Sequence, residues 1–173
     1  VQSRPVDGSL PTAAPIIHHP DVKRMLMTMR ACTEGCRAMS LVAAAAYDAA
    51  HAHPDADVRK QNQAFYEFMV PVVKGYSTEM SIDVASLGVQ VHGGMGFIEE
   101  TGAAQYYRDA KILTIYEGTT AIQANDLVGR KTVRDGGATA RAIAAQIEQT
   151  EAALARSASA HALAVRQHLQ AGR

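Results

Sequence analysis

From Asp21 to Ser40 the chain reads Asp21-Val22-Lys23-Arg24-Met25-Leu26-Met27-Thr28-Met29-Arg30-Ala31-Cys32-Thr33-Glu34-Gly35-Cys36-Arg37-Ala38-Met39-Ser40, and it continues with Leu41 and Val42 into an alanine run. Val22, Met25, Met29, Cys32, Cys36, Met39, Ala43, Ala46 and Ala50 recur in alternating steps of three and four. That is the period of one face of a long α-helix, and it decides the fold class. The stretch also carries its own punctuation. Pro20 and Asp21 follow His19, and both suit a first helical turn: proline's missing N–H costs nothing there, and an acidic side chain complements the positive helix end. His51-Ala52-His53-Pro54-Asp55 closes the helix, because the residue before a proline is pushed out of the helical region.

Working outward, a second helical stripe runs through Phe65, Met69, Val72, Tyr76, Met80, Val84, Leu87 and Val91, with Pro71 inside it. The proline should kink that helix or delay its start. His92-Gly93-Gly94-Met95-Gly96-Phe97 cannot continue a helix and reads as a sharp turn with exposed backbone N–H groups. A short helix is predicted over 105–112. Another begins near Thr119 or Thr120, either of which can cap it, and runs towards Arg134. Asp135-Gly136-Gly137 is a clear break. Beyond it, Ile143, Ile147, Leu154, Val165 and Leu169 keep helical spacing in an alanine-rich tail, as one long helix or a hairpin of two. Residues 1–17, rich in Pro, Gly, Ser and Ala, read as an arm or loop. No internal repeat and no sustained two-residue alternation appears. The expectation is an all-α, antiparallel helical bundle of about five helices: an arm at 1–17, the bundle at 18–135 and an Ala-rich extension at 138–173.

The 173 residues allow one sizeable domain. Seventeen Lys and Arg balance seventeen Asp and Glu, giving a formal net charge of zero. That removes the electrostatic footprint of nucleic-acid or anionic-membrane binding. No apolar run is long enough to span a bilayer. Two cysteines make no disulfide framework, which points to a reducing, cytoplasmic setting. The opening Val1-Gln2-Ser3-Arg4-Pro5 has no initiator Met and no secretory pattern, and is expected to be a processed end or part of a longer chain.

His18-His19, His51-x-His53 and Cys32-x-x-x-Cys36 are the residues that raise the question of a metal. The cysteines share the apolar stripe and read as buried free thiols, and the histidines sit at loop–helix junctions where capping and solvation suffice. A helical-bundle metal site would project a Glu-x-x-His pair inward, and the chain has none there. No metal is expected. The Met-rich face of the first helix reads as core packing or as a groove facing a substrate.

Glu117 follows the apolar stretch Ile112-Leu113-Thr114-Ile115 and stands between Tyr116 and Gly118. Partial desolvation there would make it a stronger base once ionised, and Gly118 would leave room for a substrate beside the backbone. The same four residues also suit an exposed helix entry. Gln90-Val91-His92-Gly93-Gly94 can offer N–H groups to a phosphate or serve as a tight corner. It follows no strand, so it is neither a dinucleotide fingerprint nor a P-loop.

Taken together in order and spacing, Gln90–Phe97, Arg108-Asp109-Ala110-Lys111-Ile112 and Tyr116–Gln123 resemble the C-terminal helical domain of acyl-CoA dehydrogenases. Residues 16–26 and 125–131 are similar to the family's long-chain branch, which includes 3-methylmercaptopropionyl-CoA dehydrogenase-like enzymes. The resemblance covers roughly residues 16–137 well and the tail loosely. It implies α,β-dehydrogenation of an acyl-CoA thioester with FAD as hydride acceptor. Glu117 then matches the base that removes the α-proton, Gly118 a substrate-contacting position and Thr119 a flavin-contacting one. Two residues beyond Thr119, where the family often has Gln, stands Ala121. Gln90, Val91, His92, Gly93 and Gly94 match the stretch that contacts FAD of the neighbouring subunit, which implies a homo-oligomer. An electron-transfer flavoprotein is implied as redox partner. Arg108-Asp109 is assigned a structural ion-pair role.

The family's N-terminal helical domain, its middle β-domain and the first helix of its C-terminal domain have no counterpart in these residues. The chain is therefore expected to be a portion of an enzyme of several hundred residues, inactive alone. The alternative is a non-catalytic helical module that has kept the bundle for oligomerisation, although packing alone needs neither Glu117 nor the glycine turn.

Overall fold

The computed structural model describes residues 3–171. Val1 and Gln2 of the expected arm, and Gly172 and Arg173 of the expected extension, lie outside the described residues. Among the described residues the elements are helical and no strand occurs.

Two long helices form the frame. Helix α1 spans Pro20–Ala52 and α2 spans Ala56–His92. Pro20 stands in the first turn of α1, where Asp21 pairs with Arg24 at 2.8 Å. The corner between the helices is sealed from both sides. Asp55 caps α2 by accepting from the N–H groups of Asp57 and Val58, and Arg59 Nη1 donates to the carbonyls of His53 and Pro54. Tyr47 meets Tyr66 edge-on near the corner, and Met29 lies against Gly88 near the far ends, so the pair is antiparallel. At 1.5 Å per residue α1 and α2 are about 50 and 55 Å long. Helix α2 starts at Ala56 and runs unbroken through Pro71, so the proline does not delay it. Tyr76, expected on the apolar stripe, is exposed.

Gly93 ends α2 at φ 60°, and α3 (Gly94–Phe97) is a single turn. A 3₁₀ turn at Glu99–Thr101 leads to α4 (Ala103–Leu113), which returns along α2. Helix α5 (Thr120–Asn125) is capped by Thr119 and passes into a π-helical stretch, Asp126–Val133, tied to α2 by Lys131 and Glu67 at 3.6 Å. The tail takes the hairpin form: α6 (Ala138–Ala155) and α7 (Ala160–Ala171) pack together, and the buried Glu151 accepts from Gln170 at 2.7 Å.

The buried apolar residues are few and mostly small, among them Ala14, Met25, Ala43, Ala46, Ala103 and Ala110. The chain exposes 11,591 Å² for a mass of 18.4 kDa. A folded monomer of that mass exposes roughly 8,200 Å². The excess, about 3,400 Å², is larger than the total area buried in a standard protein–protein interface. Wide apolar faces of this bundle are therefore uncovered. No helix among the described residues is long and apolar enough to cross a membrane.

Candidate active site

The turn that follows α4 carries the most unusual backbone of the molecule. Ile115 and Tyr116 both donate their N–H to Ile112, which tightens the end of α4. Glu117 then takes φ 52°, the only positive φ of a non-glycine among the described residues. An L-residue held in that left-handed region lies about 1 kcal/mol above its right-handed alternative. Gly118 follows at φ 96°, and Thr119 caps α5 by accepting from the Ile122 N–H at 3.5 Å.

This turn hangs on the middle of α2. The half-buried Lys74 donates from Nζ to the carbonyl oxygens of Tyr116 at 2.9 Å and Glu117 at 2.5 Å. The same nitrogen lies 5.4 Å from the centre of the Tyr116 ring. Thr120 Oγ1 donates to the Glu79 carboxylate. Glu117 itself is exposed, so the desolvation expected from the apolar residues before it is absent within this chain. The reason is visible in its neighbours: Ile112 and Ile115 are themselves about half exposed. No main-chain acceptor among the described residues takes the Glu117 N–H.

Gly118 has a tighter environment than a mere opening for substrate. A Cβ at this position would stand 2.9 Å from Gln123 Nε2, and that amide donates at 3.4 Å to the Gly118 carbonyl. Gln123 closes the stretch Tyr116–Gln123 that carries the family resemblance, and residue type alone gives it no role.

The glycine turn lies at the C-terminal end of α2. Lys74 and His92 are 18 residues apart on one helix, which is about 27 Å. The structure therefore does not bring Gln90, Val91, His92, Gly93 and Gly94 to Glu117, Gly118 and Thr119 within one chain. Gln90, His92, Gly93 and Gly94 are exposed and Val91 half-buried. A Cβ on Gly93 or Gly94 would meet nothing within 4 Å, so their backbone faces open space. His92 Nδ1 donates to the Gly88 carbonyl at 2.8 Å. The donors and acceptors here are neutral amides, an imidazole and main-chain groups. That set suits the polar edge of a flavin nucleotide.

Two sequence expectations need adjustment. Cys32 and Cys36 are half-buried rather than buried. With Met29 they line a groove of about 760 Å³ between α1, α2 and α4, while Met25, Ala43 and Ala46 of the same face are buried. Arg108 does not pair with Asp109: it reaches Glu99 at 3.4 Å and Gln105 at 2.7 Å, and Gln105 in turn donates to Asp109. Adjacent residues on a helix point in different directions, and a relay residue three or four away can link them. His51 Nδ1 donates to the Tyr47 carbonyl, while His53 accepts from the Asp55 N–H. No group of three His, Cys, Asp or Glu that could hold a metal occurs among the described residues.

Residues 11–131 match the model of the acyl-CoA dehydrogenase C-terminal domain, well over half of the chain. This chain belongs to the acyl-CoA dehydrogenase family. It is 60% identical over 160 residues to 3-methylmercaptopropionyl-CoA dehydrogenase of Ruegeria pomeroyi, covering 92% of this chain and 27% of that one. It is 44% identical over 135 residues to a broad-specificity linear acyl-CoA dehydrogenase of Mycobacterium tuberculosis, covering 78% and 22%. A caffeyl-CoA reductase–Etf complex subunit of Acetobacterium woodii matches over 52 residues at 40% identity, 30% of this chain and 14% of that one. The chain thus spans about a quarter of the length of the first two relatives. As in the sequence reading, this acyl-CoA dehydrogenase domain is all-α, and its helices α1 to α5 with the π-helical stretch include most of the matched span.

Proposed function

We propose that this chain is the base-bearing portion of an FAD-dependent acyl-CoA dehydrogenase, with Glu117 as the base. The observation that carries the reading is the left-handed Glu117 in an exposed turn between two helices. Strained backbone of this kind gathers at functional sites, and nothing in the packing of the turn requires a carboxylate there.

The reaction has two parts. Glu117 takes the α-proton of an acyl-CoA thioester on its carboxylate, and the β-carbon loses a hydride, leaving the α,β-unsaturated thioester. FAD, when bound, supplies the two-electron acceptor for that hydride at its N5. An α C–H beside a thioester is only weakly acidic, so negative charge gathering on the carbonyl oxygen must meet a hydrogen-bond donor. The Glu117 N–H is free to be one such donor. Gly118 would keep the chain slim beside the substrate, and Thr119 would contact the flavin.

The distance along α2 supports a second element of the proposal. Gln90 to Gly94 lie about 27 Å from the Glu117 turn, so they serve a different part of the flavin nucleotide or a different flavin. Contact with the FAD of a neighbouring subunit meets that distance, and the uncovered apolar surface supports a homo-oligomer. Residues 18–135 form the catalytic portion in this reading and 138–173 an extension on it. An electron-transfer flavoprotein is the proposed electron acceptor, in keeping with the name of the Acetobacterium relative. The free thiols of Cys32 and Cys36 suit a reducing cytoplasm.

The test is Glu117→Gln in the full-length protein. The variant should keep its flavin and lose the bleaching of flavin absorbance by acyl-CoA. Bleaching at the native rate would remove Glu117 from the role of base. A full-length protein that binds neither flavin nor acyl-CoA would instead favour the helical oligomerisation module.

A further inference from the structure

We propose that Lys74 is a positioning residue for the base: its ammonium clamps the carbonyl oxygens of Tyr116 and Glu117 and so holds Glu117 in its left-handed conformation. The inference rests on Glu117 being the base, and it concerns a residue 43 positions away on another helix.

Peptide planes are rigid, so the relative direction of the Tyr116 and Glu117 carbonyls is set by φ and ψ of Glu117, the residue between the two planes. The left-handed conformation of Glu117 turns both oxygens towards α2, where Lys74 Nζ donates to each, at 2.9 and 2.5 Å. The strain at Glu117 and the clamp by Lys74 are thus one arrangement. Without the clamp, φ of Glu117 is free to return below zero, and that rotation would swing the Cα–Cβ bond and the carboxylate with it. Lys74 makes no ion pair with a carboxylate among the described residues. Its charge is directed at main-chain oxygens, a use that a lysine serving surface solubility does not need.

A second tie comes from the same helix. Glu79, five residues along α2 from Lys74, accepts from Thr120 Oγ1. The segment from Tyr116 to Thr120 is therefore fixed to one rigid element at both ends, with Glu117 between the two ties. Proton transfer depends steeply on the placement of the base, so a loosened turn should slow the chemical step more than it weakens substrate binding.

The test uses the full-length flavoprotein, variants of Lys74 and Glu117, and stopped-flow flavin bleaching by acyl-CoA. Lys74→Met keeps the stem and removes both hydrogen bonds, and Lys74→Arg restores donors of similar reach. Lys74→Met is expected to lower the limiting bleaching rate tenfold or more, with KM and flavin content within twofold of the parent. Lys74→Arg should recover most of the rate. A Lys74→Met rate within twofold of the parent overturns the proposal, as does an equal rise in KM with an unchanged limiting rate. If Lys74→Met loses its flavin, Lys74→Gln decides: retained flavin with a slowed rate supports the clamp, and an unchanged rate or renewed flavin loss overturns it. Glu117→Gln, measured alongside, separates the two readings. An active Glu117→Gln sinks the base itself, whereas an inactive Glu117→Gln with a fully active Lys74→Met sinks only the clamp.

Discussion

Gly96 lies so close to Val89 that a methyl group at its Cα would stand 2.2 Å from the Val89 carbonyl oxygen. The Val89 carbonyl carbon, at 3.0 Å, and His92 Cβ, at 2.9 Å, would crowd the same methyl. Gly96 also donates its N–H to Gly93 at 2.9 Å, so the chain folds straight back over the last turn of α2. This contact, and not only the positive φ at Gly93, is what the third glycine of the segment provides.

Gly96→Ala should accordingly be costly, because the nearest crowding atom is a backbone oxygen and cannot step aside. Overpacking of this kind destabilises by about 1–3 kcal/mol, and a backbone clash belongs at the upper end. Denaturant unfolding of the full-length protein would measure it, together with flavin content as a reporter on Gln90 to Gly94. A loss below about 0.5 kcal/mol, the usual range for uninvolved surface positions, would mean that Gly96 is not packed this closely.

Gly118→Ala is expected to act through two separable causes. The φ of 96° penalises any side chain, and the new methyl would also press on Gln123 Nε2 at 2.9 Å. The first cause gives a loss of about 1 kcal/mol or more that no partner change can relieve. The second should be relieved by Gln123→Ala, so the double variant ought to be more stable than the sum of the two single changes predicts. A coupling energy above about 0.5 kcal/mol in that cycle supports the steric account, and simple additivity would refute it.

The long helices were legible because their signals are local. Nine apolar positions in steps of three and four, opened by Pro20 and closed at His53-Pro54, delimit α1 with no help from the rest of the fold. Pro71 was the misleading mark. A proline inside a helix leaves the carbonyl four residues back without its N–H, and sequence alone cannot tell whether packing offsets that loss. Here it is buried within an unbroken α2. Spacing also could not tell what covers a face: Met29, Cys32 and Cys36 share a periodic stripe and yet line an open groove. At the candidate site, Tyr116-Glu117-Gly118-Thr119 could be quoted from the sequence, but the left-handed turn could not, since glutamate has no preference for it. Lys74 was invisible for a different reason. Its link to Glu117 spans 43 residues and runs to main-chain oxygens, which leave no mark on residue type.

The last prediction concerns acid and the start of α6. Asp135 Oδ1 accepts from the N–H groups of Gly137 and Ala138, and Oδ2 from that of Thr139, at 2.8 to 3.1 Å. The Thr139 hydroxyl, then the Thr139 N–H and the Gly137 and Ala138 N–H groups, hold the carboxyl below the ordinary aspartate value of 3.8. A carboxyl with a depressed folded-state pKa stabilises fully above its unfolded value and loses that contribution as pH falls through the folded one. The cap is thus intact at neutral pH and is lost only below the ordinary aspartate value, where the protonated acid no longer attracts the positive end of α6. Asp135→Asn keeps one capping oxygen and cannot titrate. Amide hydrogen exchange over residues 137–145 should be faster in Asp135→Asn than in the parent at neutral pH, after correction for intrinsic rates. That difference should shrink on acidification below pH 4. A difference that stays constant down to pH 2.5 would show that the charge of Asp135 does not hold the end of α6.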